Sequence, residues 1–368
     1  MKATPAFVLQ IATVIAALAP LSALADQPDL KVERVAEGLS HPWAVEVLPD
    51  GSYLVSERPG RLTVISPSGE KQPISGLPSL YAAGQGGLLD VAIDPGAVNG
   101  LRIFFTASVS GEGGQGTAVF AATLDREAAR LQDVEQIFAM NRFSGTNRHF
   151  GSRIAIDASG DLFFGIGDRG ESERAQDPGD HAGSILKIAR DGSAGDPAAS
   201  GWQPEIWSIG HRNPQGITID PVTGTLYTVE HGARGGDEIN TPERGRNYGW
   251  PEISYGVHYS GEKIGQGTEA PGLEQPVYYW DPSIAPGAIA VYRGDMFPEW
   301  DGDFLVTALK DELLAHIIRD DTGTVTSEER LFEREYGRLR DVTIAPDGSL
   351  LMVTDEADGA LLRVYRAD

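Results

Sequence analysis

The sequence predicts an all-β protein, namely a six-bladed β-propeller of four-stranded antiparallel blades. The 45 glycines and 23 prolines of the 368-residue chain separate short runs in which apolar and polar residues alternate. That pattern is typical of strands joined by tight turns. One hairpin also recurs along the chain: a strand, a turn rich in Asp, Pro or Gly, and a second strand. Such repetition is the signature of propeller blades.

The copies of this hairpin follow one another from the start of the predicted domain to its end. Their strands are 44–48 and 53–56, 90–93 and 103–107, 154–156 and 162–166, 217–219 and 226–229, a looser copy at 288–307, and 342–344 and 350–353. Copies begin roughly 45–75 residues apart, as blades with variable insertions do. A plain β-sandwich is the alternative, but it need not repeat one hairpin throughout. The early strand 30–35 is a candidate to pair with the last blade and close the ring.

The beginning of the chain predicts export. Lys2 gives a positive start, and residues 6–24 are apolar and uncharged. The run ends in Ala-Leu-Ala at 23–25, the small-x-small pattern before a cleavage site. A membrane anchor is the alternative, because the run is near the ~20 residues that a span needs. We expect a signal peptide at 1–25, a catalytic propeller at 26–368 with no membrane span, and a periplasmic or secreted protein.

Charge and cysteine content exclude some classes of partner and of stabilisation. The formal net charge of −23 argues against nucleic acid or an anionic membrane as a partner. The chain contains no cysteine, so disulfides cannot stabilise it in an oxidising compartment. Stability must come from a large core, from bound metal, or from both.

Four polar loops each precede the first strand of a predicted blade. They are 84–87, 148–151, 210–216 and 336–341. Loops at this position of a propeller converge on one mouth of the central channel, the usual binding site. Arg212, Arg338 and Arg340 in these loops predict an anionic ligand, because the guanidinium group is a planar fork suited to carboxylates. Each arginine alone would more simply be a surface ion pair.

Histidine and glycine patterns add two further candidates. His149 stands at the same repeat position as the arginines, where it can act as a general base. His211 adjoins Arg212, and its simpler interpretation is that of a residue that only orients the loop. His231 lies in the glycine-rich turn 230–238, whose carboxylate and main-chain oxygens suit calcium, a hard cation. These residues predict an anion site, a histidine base and calcium, but they do not name the reaction.

At these residues the chain resembles the soluble, pyrroloquinoline quinone-dependent aldose sugar dehydrogenases of the glucose/sorbosone dehydrogenase family. The likeness covers nearly all of the predicted domain, from the HPW at 41–43 to the last blade. Its strongest segments are GQGGLLDVAIDP (84–95), HFGSRIAID (149–157), GHRNPQG (210–216), EHGARGGDEIN (230–240), NYGWP (247–251) and GRLRDV (337–342). One motif would be weak, but all of them in order are specific.

The resemblance implies a role for each matching residue. His149 matches the general base that takes the proton of the anomeric hydroxyl as hydride passes to the quinone, which yields a lactone. Residues that match the sugar and cofactor contacts are Gln85, Asp168, Arg212, Asn213, Ser283, Lys310, Arg338 and Arg340, of which Ser283 aligns loosely. The carbonyls of Gly232 and Ala233 match those that hold the cofactor's calcium, a Lewis acid for the quinone. Glu238 and Tyr248 match a second calcium site.

Departures from the family pattern bear on the substrate. His231 and Ala233 stand where glucose-preferring members carry Gln and Pro, and Arg148 replaces an acidic residue of some relatives. The glucose-specific insertions are absent, so the resemblance implies a range of aldoses rather than glucose alone. The expected partners are an aldose and an electron acceptor that the sequence does not name, in a monomer or a homodimer. The alternative functions are a calcium-dependent lactonase-type hydrolase and a non-catalytic binding propeller.

Overall fold

Twenty-four strands form six four-stranded antiparallel sheets in the computed structural model, which describes residues 28–97 and 100–367. The predicted six-bladed β-propeller is confirmed, and each predicted hairpin forms the first two strands of one blade. The predicted signal peptide at 1–25 lies outside the described residues. Within the described part of the chain, no helix is long and apolar enough to cross a membrane.

The first three blades follow the chain without interruption. Blade 1 contains β2 (Pro42–Val47), β3 (Tyr53–Glu57), β4 (Arg61–Ile65) and β5 (Lys71–Ile74). Blade 2 contains β6 (Leu88–Ile93), β7 (Leu101–Gly111), β8 (Gly114–Asp125) and β9 (Arg130–Ala139). Blade 3 contains β10 (Ile154–Ile156), β11 (Leu162–Ile166), β12 (Ser184–Ile188) and β13 (Ile206–Ile209).

The last three blades end with closure of the ring. Blade 4 contains β14 (Pro214–Ile219), β15 (Leu226–Glu230), β16 (Asp237–Asn240) and β17 (Tyr278–Trp280). Blade 5 contains β18 (Pro286–Val291), β19 (Phe304–Ala308), β20 (Leu313–Arg319) and β21 (Val325–Leu331). Blade 6 contains β22 (Leu339–Ile344), β23 (Leu350–Thr354) and β24 (Gly359–Arg366), and its outer strand is the early β1 (Leu30–Leu39). The predicted closure by strand 30–35 is therefore confirmed, and it covers the edge of blade 6.

The hydrophobic core lies between the blades rather than at the centre of the molecule. Six clusters of buried residues each join two neighbouring blades, for example Leu54 of blade 1 with Phe105 of blade 2. The second strands β3, β11, β15, β19 and β23 are buried along their whole length. These strands have a packed blade on both faces, which explains their nearly continuous apolar sequences.

A β-bulge near the start of the inner strand recurs in five blades. The register shifts between Pro42 and Ala44, between Leu88 and Val91, between Pro214 and Gly216, between Pro286 and Ile289, and between Leu339 and Asp341. A bulge re-aims the side chain of the extra residue. Trp43, Gln215 and Arg340 occupy three of these bulges. They lie at the mouth of the channel where the four polar loops meet.

Candidate active site

A cavity of about 190 Å³ lies at this mouth of the channel. All four polar loops contribute to its lining, as the sequence predicts. Its lining includes Trp43, Arg58, Gln85, Asn213, Gln215, His231, Arg338, Arg340 and Asp355. Strands from several blades thus converge on one pocket, and the chemistry of that pocket is set by its charged and aromatic side chains.

His149 and Asp168 form a buried hydrogen-bonded pair beside this cavity. Nδ1 of His149 lies 2.6 Å from Oδ1 of Asp168, and the side chains are 10% and 3% exposed. The main-chain N–H of His149 donates to Oε1 of Gln85 at 2.6 Å. His149 has φ +56°, a left-handed conformation that is uncommon outside glycine and that surrounding contacts must hold. Three residues predicted for the site are therefore in direct contact.

Gly167 permits the close approach of this histidine to the neighbouring strand. A Cβ at Gly167 would lie 2.6 Å from the carbonyl oxygen of His149 and 2.9 Å from Oδ1 of Asn213. Both distances are too short for a carbon atom in contact with these groups. A glycine here thus lets the chain before Asp168 pack directly against the histidine loop and Asn213.

Burial and neighbouring charges favour the neutral form of His149. Burial lowers the pKa of His149 below its ordinary value, and the cationic Arg212 and Arg148 lower it further, although the carboxylate of Asp168 opposes them. Burial alone would raise the pKa of Asp168, but its hydrogen bonds to His149 and to the N–H of Gly170 bring it below its ordinary value. A neutral imidazole next to an ionised carboxylate is the protonation state of a histidine base.

Buried arginines form the cationic wall of the pocket. Arg212 and Arg340 are each about one-tenth exposed, and Nε of each has no hydrogen-bond partner among the described residues. Nη2 of Arg340 lies 2.7 Å from Oδ2 of Asp355, whose Oδ1 is near Arg58 and His41. Buried donors without partners are costly. They fit a site that an anionic ligand would complete.

Lys310, Arg338 and Ser283 lie together on another side of the mouth. Nζ of Lys310 donates to the carbonyl of Ser283 at 2.6 Å, and Nη1 of Arg338 donates to the carbonyl of Leu309 at 3.0 Å. The hydroxyl of Ser283 donates to Oδ2 of Asp237 at 2.6 Å. The side chain of Lys310 is 55% exposed, and its Nζ lies 3.6 Å from Oδ1 of Asp311.

The glycine-rich turn after β15 is closed tightly on itself. The N–H of Gly232 donates to Oδ1 of Asp237 at 2.8 Å, and Nη1 of Arg212 donates to the carbonyl of Gly232. A Cβ at Gly232 would lie 2.2 Å from the carbonyl oxygen of Gly235. Only glycine fits there. The carbonyl of Gly232, one of the two predicted calcium ligands with that of Ala233, accepts the hydrogen bond of Arg212 in this structure.

Glu238 belongs to a second oxygen-rich cluster behind the turn. Burial, together with the nearby carboxylate of Glu230, raises the pKa of Glu238 to about 8. Nδ2 of Asn240 donates to both Glu230 and Glu238, while its Oδ1 has no partner among the described residues. His211 bonds Glu230 at 2.8 Å and stacks on Tyr248 at 4.8 Å. Crowded carboxyl groups and an unpartnered oxygen fit a cation.

The other two candidate histidines have different surroundings. His211 is fully buried between Ser208 and Glu230, so its position is that of a residue which orients the arginine loop. Nε2 of His231 bonds the carbonyl of Pro286 at 2.7 Å. Burial, and then Arg340 and Arg212, lowers the pKa of His231 to about 3. His211 bonds a carboxylate but has its other ring nitrogen bonded to Ser208, and His231 bonds a main-chain carbonyl instead of a carboxylate. Only His149 among the three combines a bonded carboxylate with a second ring nitrogen that can accept a proton.

Several residues in or beside the pocket have contacts that the sequence does not predict. Trp250 donates from Nε1 to Oδ2 of Asp168 at 2.9 Å. Gln215 accepts from Arg340, and Asp355 pairs with the same arginine. Trp250 and Gln215 lie within the motifs NYGWP and GHRNPQG, so a signal existed for both. Nothing in the sequence around Asp355 marks it.

These features define a class: a six-bladed propeller enzyme with a histidine–carboxylate pair beside a cationic pocket at the channel mouth. The sequence matches the glucose/sorbosone dehydrogenase family over residues 39–363. It is 39% identical to the aldose sugar dehydrogenase YliI of Escherichia coli K12 over 345 residues, which cover 91% of this chain and 92% of the relative. The chain belongs to the glucose/sorbosone dehydrogenase family, and the predicted resemblance is confirmed.

Solved structures agree with this assignment. The apo-form of the soluble aldose sugar dehydrogenase from Escherichia coli superposes with a TM-score of 0.88 at 38% identity, covering 92% of this chain and all of that one. The PQQ-bound form of an aldose sugar dehydrogenase from Streptomyces coelicolor superposes with a TM-score of 0.76 at 27% identity, covering 92% and 99%. This chain is therefore a sugar dehydrogenase of the propeller type.

Proposed function

We propose that this protein oxidises the anomeric C1 hydroxyl of aldoses to lactones, with pyrroloquinoline quinone as the electron acceptor, calcium as the Lewis acid and His149 as the general base. The observation that carries the proposal is the buried pair of His149 and Asp168 beside arginines whose Nε donors have no partner. The quinone-bound relative supports the choice of cofactor. When bound, the quinone would accept the electron pair and calcium would polarise it.

The residues of the mouth would hold the two groups by charge and by main-chain oxygens. Arg212, Lys310, Arg338 and Arg340 would bind the carboxylates of the quinone, with Asn213 and Ser283 as further polar contacts. The carbonyls of Gly232 and Ala233 would bind the cofactor's calcium. Glu238 and Tyr248 would contribute to a second calcium site. The unpartnered Nε atoms of Arg212 and Arg340 support the roles of these two arginines.

His149 would remove the proton of the sugar's anomeric hydroxyl. Its Nδ1 is engaged by Asp168 at 2.6 Å, which leaves Nε2 as the ring atom that can accept a proton. Asp168 stabilises the imidazolium that forms, and Gln85 holds the main chain of the histidine. A base positioned in this way contributes roughly 10²–10⁴-fold to the rate.

The test is reconstitution of the mature protein. Chelator-treated protein is incubated with calcium alone, quinone alone, or both, and aldose oxidation is followed with an artificial dye acceptor and no nicotinamide. Only the sample with both should bind the quinone and reduce the dye. A panel of hexoses, pentoses and disaccharides should include several substrates, because the family resemblance implies a range of aldoses rather than glucose alone.

Two results would contradict the proposal. One is full aldose oxidation by chelated protein that lacks quinone. The other is hydrolysis of sugar lactones, dependent on calcium but not on quinone, with no aldose oxidation in any sample. A single aldose that exceeds all others by a hundredfold would overturn the breadth of substrates, but not the reaction.

A further inference from the structure

Trp250 contacts both functional parts of the mouth. Its indole N–H donates to Oδ2 of Asp168 at 2.9 Å, while Oδ1 of the same carboxylate holds His149. The guanidinium of Arg212 lies 5.2 Å from the centre of the indole ring. The histidine, the carboxylate, the indole and the arginine thus form a continuous series of contacts.

The main chain of Trp250 is fixed independently of these contacts. Its N–H donates to the carbonyl of Gly210 at 2.9 Å, and its carbonyl accepts from Nε2 of Gln176 at 2.7 Å. The ring therefore approaches Asp168 from a segment that is bonded both to Gly210 and to Gln176. Because the main-chain N–H and the carbonyl of Trp250 are both hydrogen-bonded, the position of the residue is fixed. Its indole N–H can therefore fix the orientation of the Asp168 carboxylate.

We propose that Trp250 is a positioning residue that sets both the orientation and the basicity of His149 through Asp168, and that its ring supports Arg212. This inference deepens the proposed function and rests on it for its effect on turnover. The indole N–H withdraws negative charge from Oδ2. Without it, more of the charge of Asp168 is available to His149, which favours the imidazolium.

The charged groups that face His149 decide in which direction its pKa changes when the indole N–H is lost. Asp168 favours the protonated ring, whereas Arg212 and Arg148 oppose it, and His231 lies near enough for His149 to affect its titration. Loss of the indole N–H strengthens the one anionic contribution and leaves the cationic ones unchanged. The pKa of His149 should therefore rise, and the free base should be populated less at neutral and acidic pH.

The experiment compares Trp250→Phe with Trp250→Leu. Both lack the donor, but phenylalanine keeps a flat ring under Arg212. Trp207→Phe is the matched control, because Trp207 also donates its indole N–H, to the carbonyl of Pro242, away from the pair. Histidine rings of quinone-free protein are titrated by NMR, with His149 assigned by His149→Gln. Turnover of reconstituted enzyme is then measured against pH.

Both Trp250 variants should raise the pKa of His149 and move the acid limb of turnover to higher pH. Turnover near neutral pH should fall by roughly two- to tenfold, the range of one hydrogen bond. Only Trp250→Leu should also weaken quinone binding. Trp207→Phe should titrate like the parent. In the parent protein the indole N–H resonance of Trp250 should move with the titration of His149, which tests the coupling without any variant.

The inference is wrong if the indole N–H resonance of Trp250 does not follow the titration of His149 in the parent protein. It is also wrong if His149 has the same pKa in a folded Trp250 variant as in the parent. An equal shift in Trp207→Phe would also overturn it. Failure of the proposed function is a separate outcome: no sugar oxidation would be found in the parent protein, while the quinone-free titrations would still decide whether Trp250 and His149 are coupled.

Discussion

Arg340 donates from Nη1 to Oε1 of Gln215 at 2.9 Å, and the two residues occupy corresponding bulges on the inner strands of blades 6 and 4. The contact therefore joins two blades that are not neighbours in the ring. Nη2 of the same arginine donates to Oδ2 of Asp355 at 2.7 Å. Burial would raise the pKa of Asp355, but Arg340, Arg58 and His41 hold it well below its usual range. The guanidinium is thus oriented before any ligand arrives.

Replacement of Arg340 should weaken cofactor binding without removing the chemistry. Arg340→Ala would delete the charged hydrogen-bond donor that we propose for the quinone, which corresponds to roughly 1.5–3 kcal/mol, or about ten- to a hundredfold in affinity. Enough quinone should restore much of the rate. Quinone titrations of calcium-loaded protein measure this, with Arg363→Ala as the control. Arg363 pairs with Asp347 and lies outside the lining of the mouth. Wild-type affinity in Arg340→Ala would remove this residue from the site.

Replacement of His149 should have the opposite effect. His149→Ala should bind quinone normally, because the base contributes little to the resting complex. Its saturated turnover should fall by roughly 10²-fold or more, and extra quinone should not restore it. Turnover at saturating quinone and matched calcium decides the matter. A near wild-type rate would show that another group removes the proton, and His211 and His231 would be tested next.

Asp168→Asn should impair the base without removing it. The lost carboxylate no longer favours the imidazolium, so the pKa of His149 should fall and the acid limb of turnover should move to lower pH. The amide can also donate to Nδ1, which places the ring proton on Nε2 and blocks proton uptake. Saturated turnover should therefore drop by roughly tenfold or more. A pH profile identical to that of the parent would show that Asp168 does not act on His149.

The sequence was sufficient to predict the propeller because the same hairpin recurs and its turns carry strong local signals. The four mouth loops were also recognisable, since each precedes the first strand of its blade. The pairing of β1 with β24 could be predicted from the need to cover an edge. The motifs that carry the family resemblance then assigned residues to the pocket.

Long-range contacts could not be predicted in the same way. Asp355 directly follows β23 and reaches Arg340 on the neighbouring strand β22, 15 residues away along the chain, but its local sequence resembles an ordinary acidic turn. Trp250 reaches Asp168 from a loop of another blade, 82 residues away along the chain. The bulges that aim Gln215 and Arg340 depend on strand register, which no local pattern specifies. Such contacts follow from the three-dimensional arrangement of blades.

The same applies to a charged cluster within the channel. Arg153 stacks on Trp43, with its guanidinium 4.2 Å from the ring centre, and its Nη1 lies 2.9 Å from both Asp90 and Asp341. Arg153, Asp90 and Asp341 line a cavity of about 640 Å³ among the inner strands, and Glu46 lines it with them. Three carboxyl groups thus face one arginine, although they are far apart in the sequence.

Glu46 should make the protein less stable as the pH rises. Burial, and then the carboxylates of Asp90 and Asp341, raises the pKa of Glu46 to about 8, against the opposing effect of Arg153. A carboxyl group whose pKa is raised by folding stabilises the folded state fully below its unfolded value, about 4.5. That contribution is lost as the pH rises through the folded value, because the folded chain then binds more protons than the unfolded one. Asp90, whose pKa burial raises to about 6, acts in the same direction over a lower pH range.

Glu46→Gln should therefore melt at a higher temperature than the parent, by a margin that grows between pH 5 and about 8. Glu33→Gln, an exposed change on β1, should show no such trend. Melting curves at pH 5, 7 and 8.5 measure both differences, and a margin that stays constant or shrinks with pH would show that Glu46 is ionised in the folded channel throughout this range.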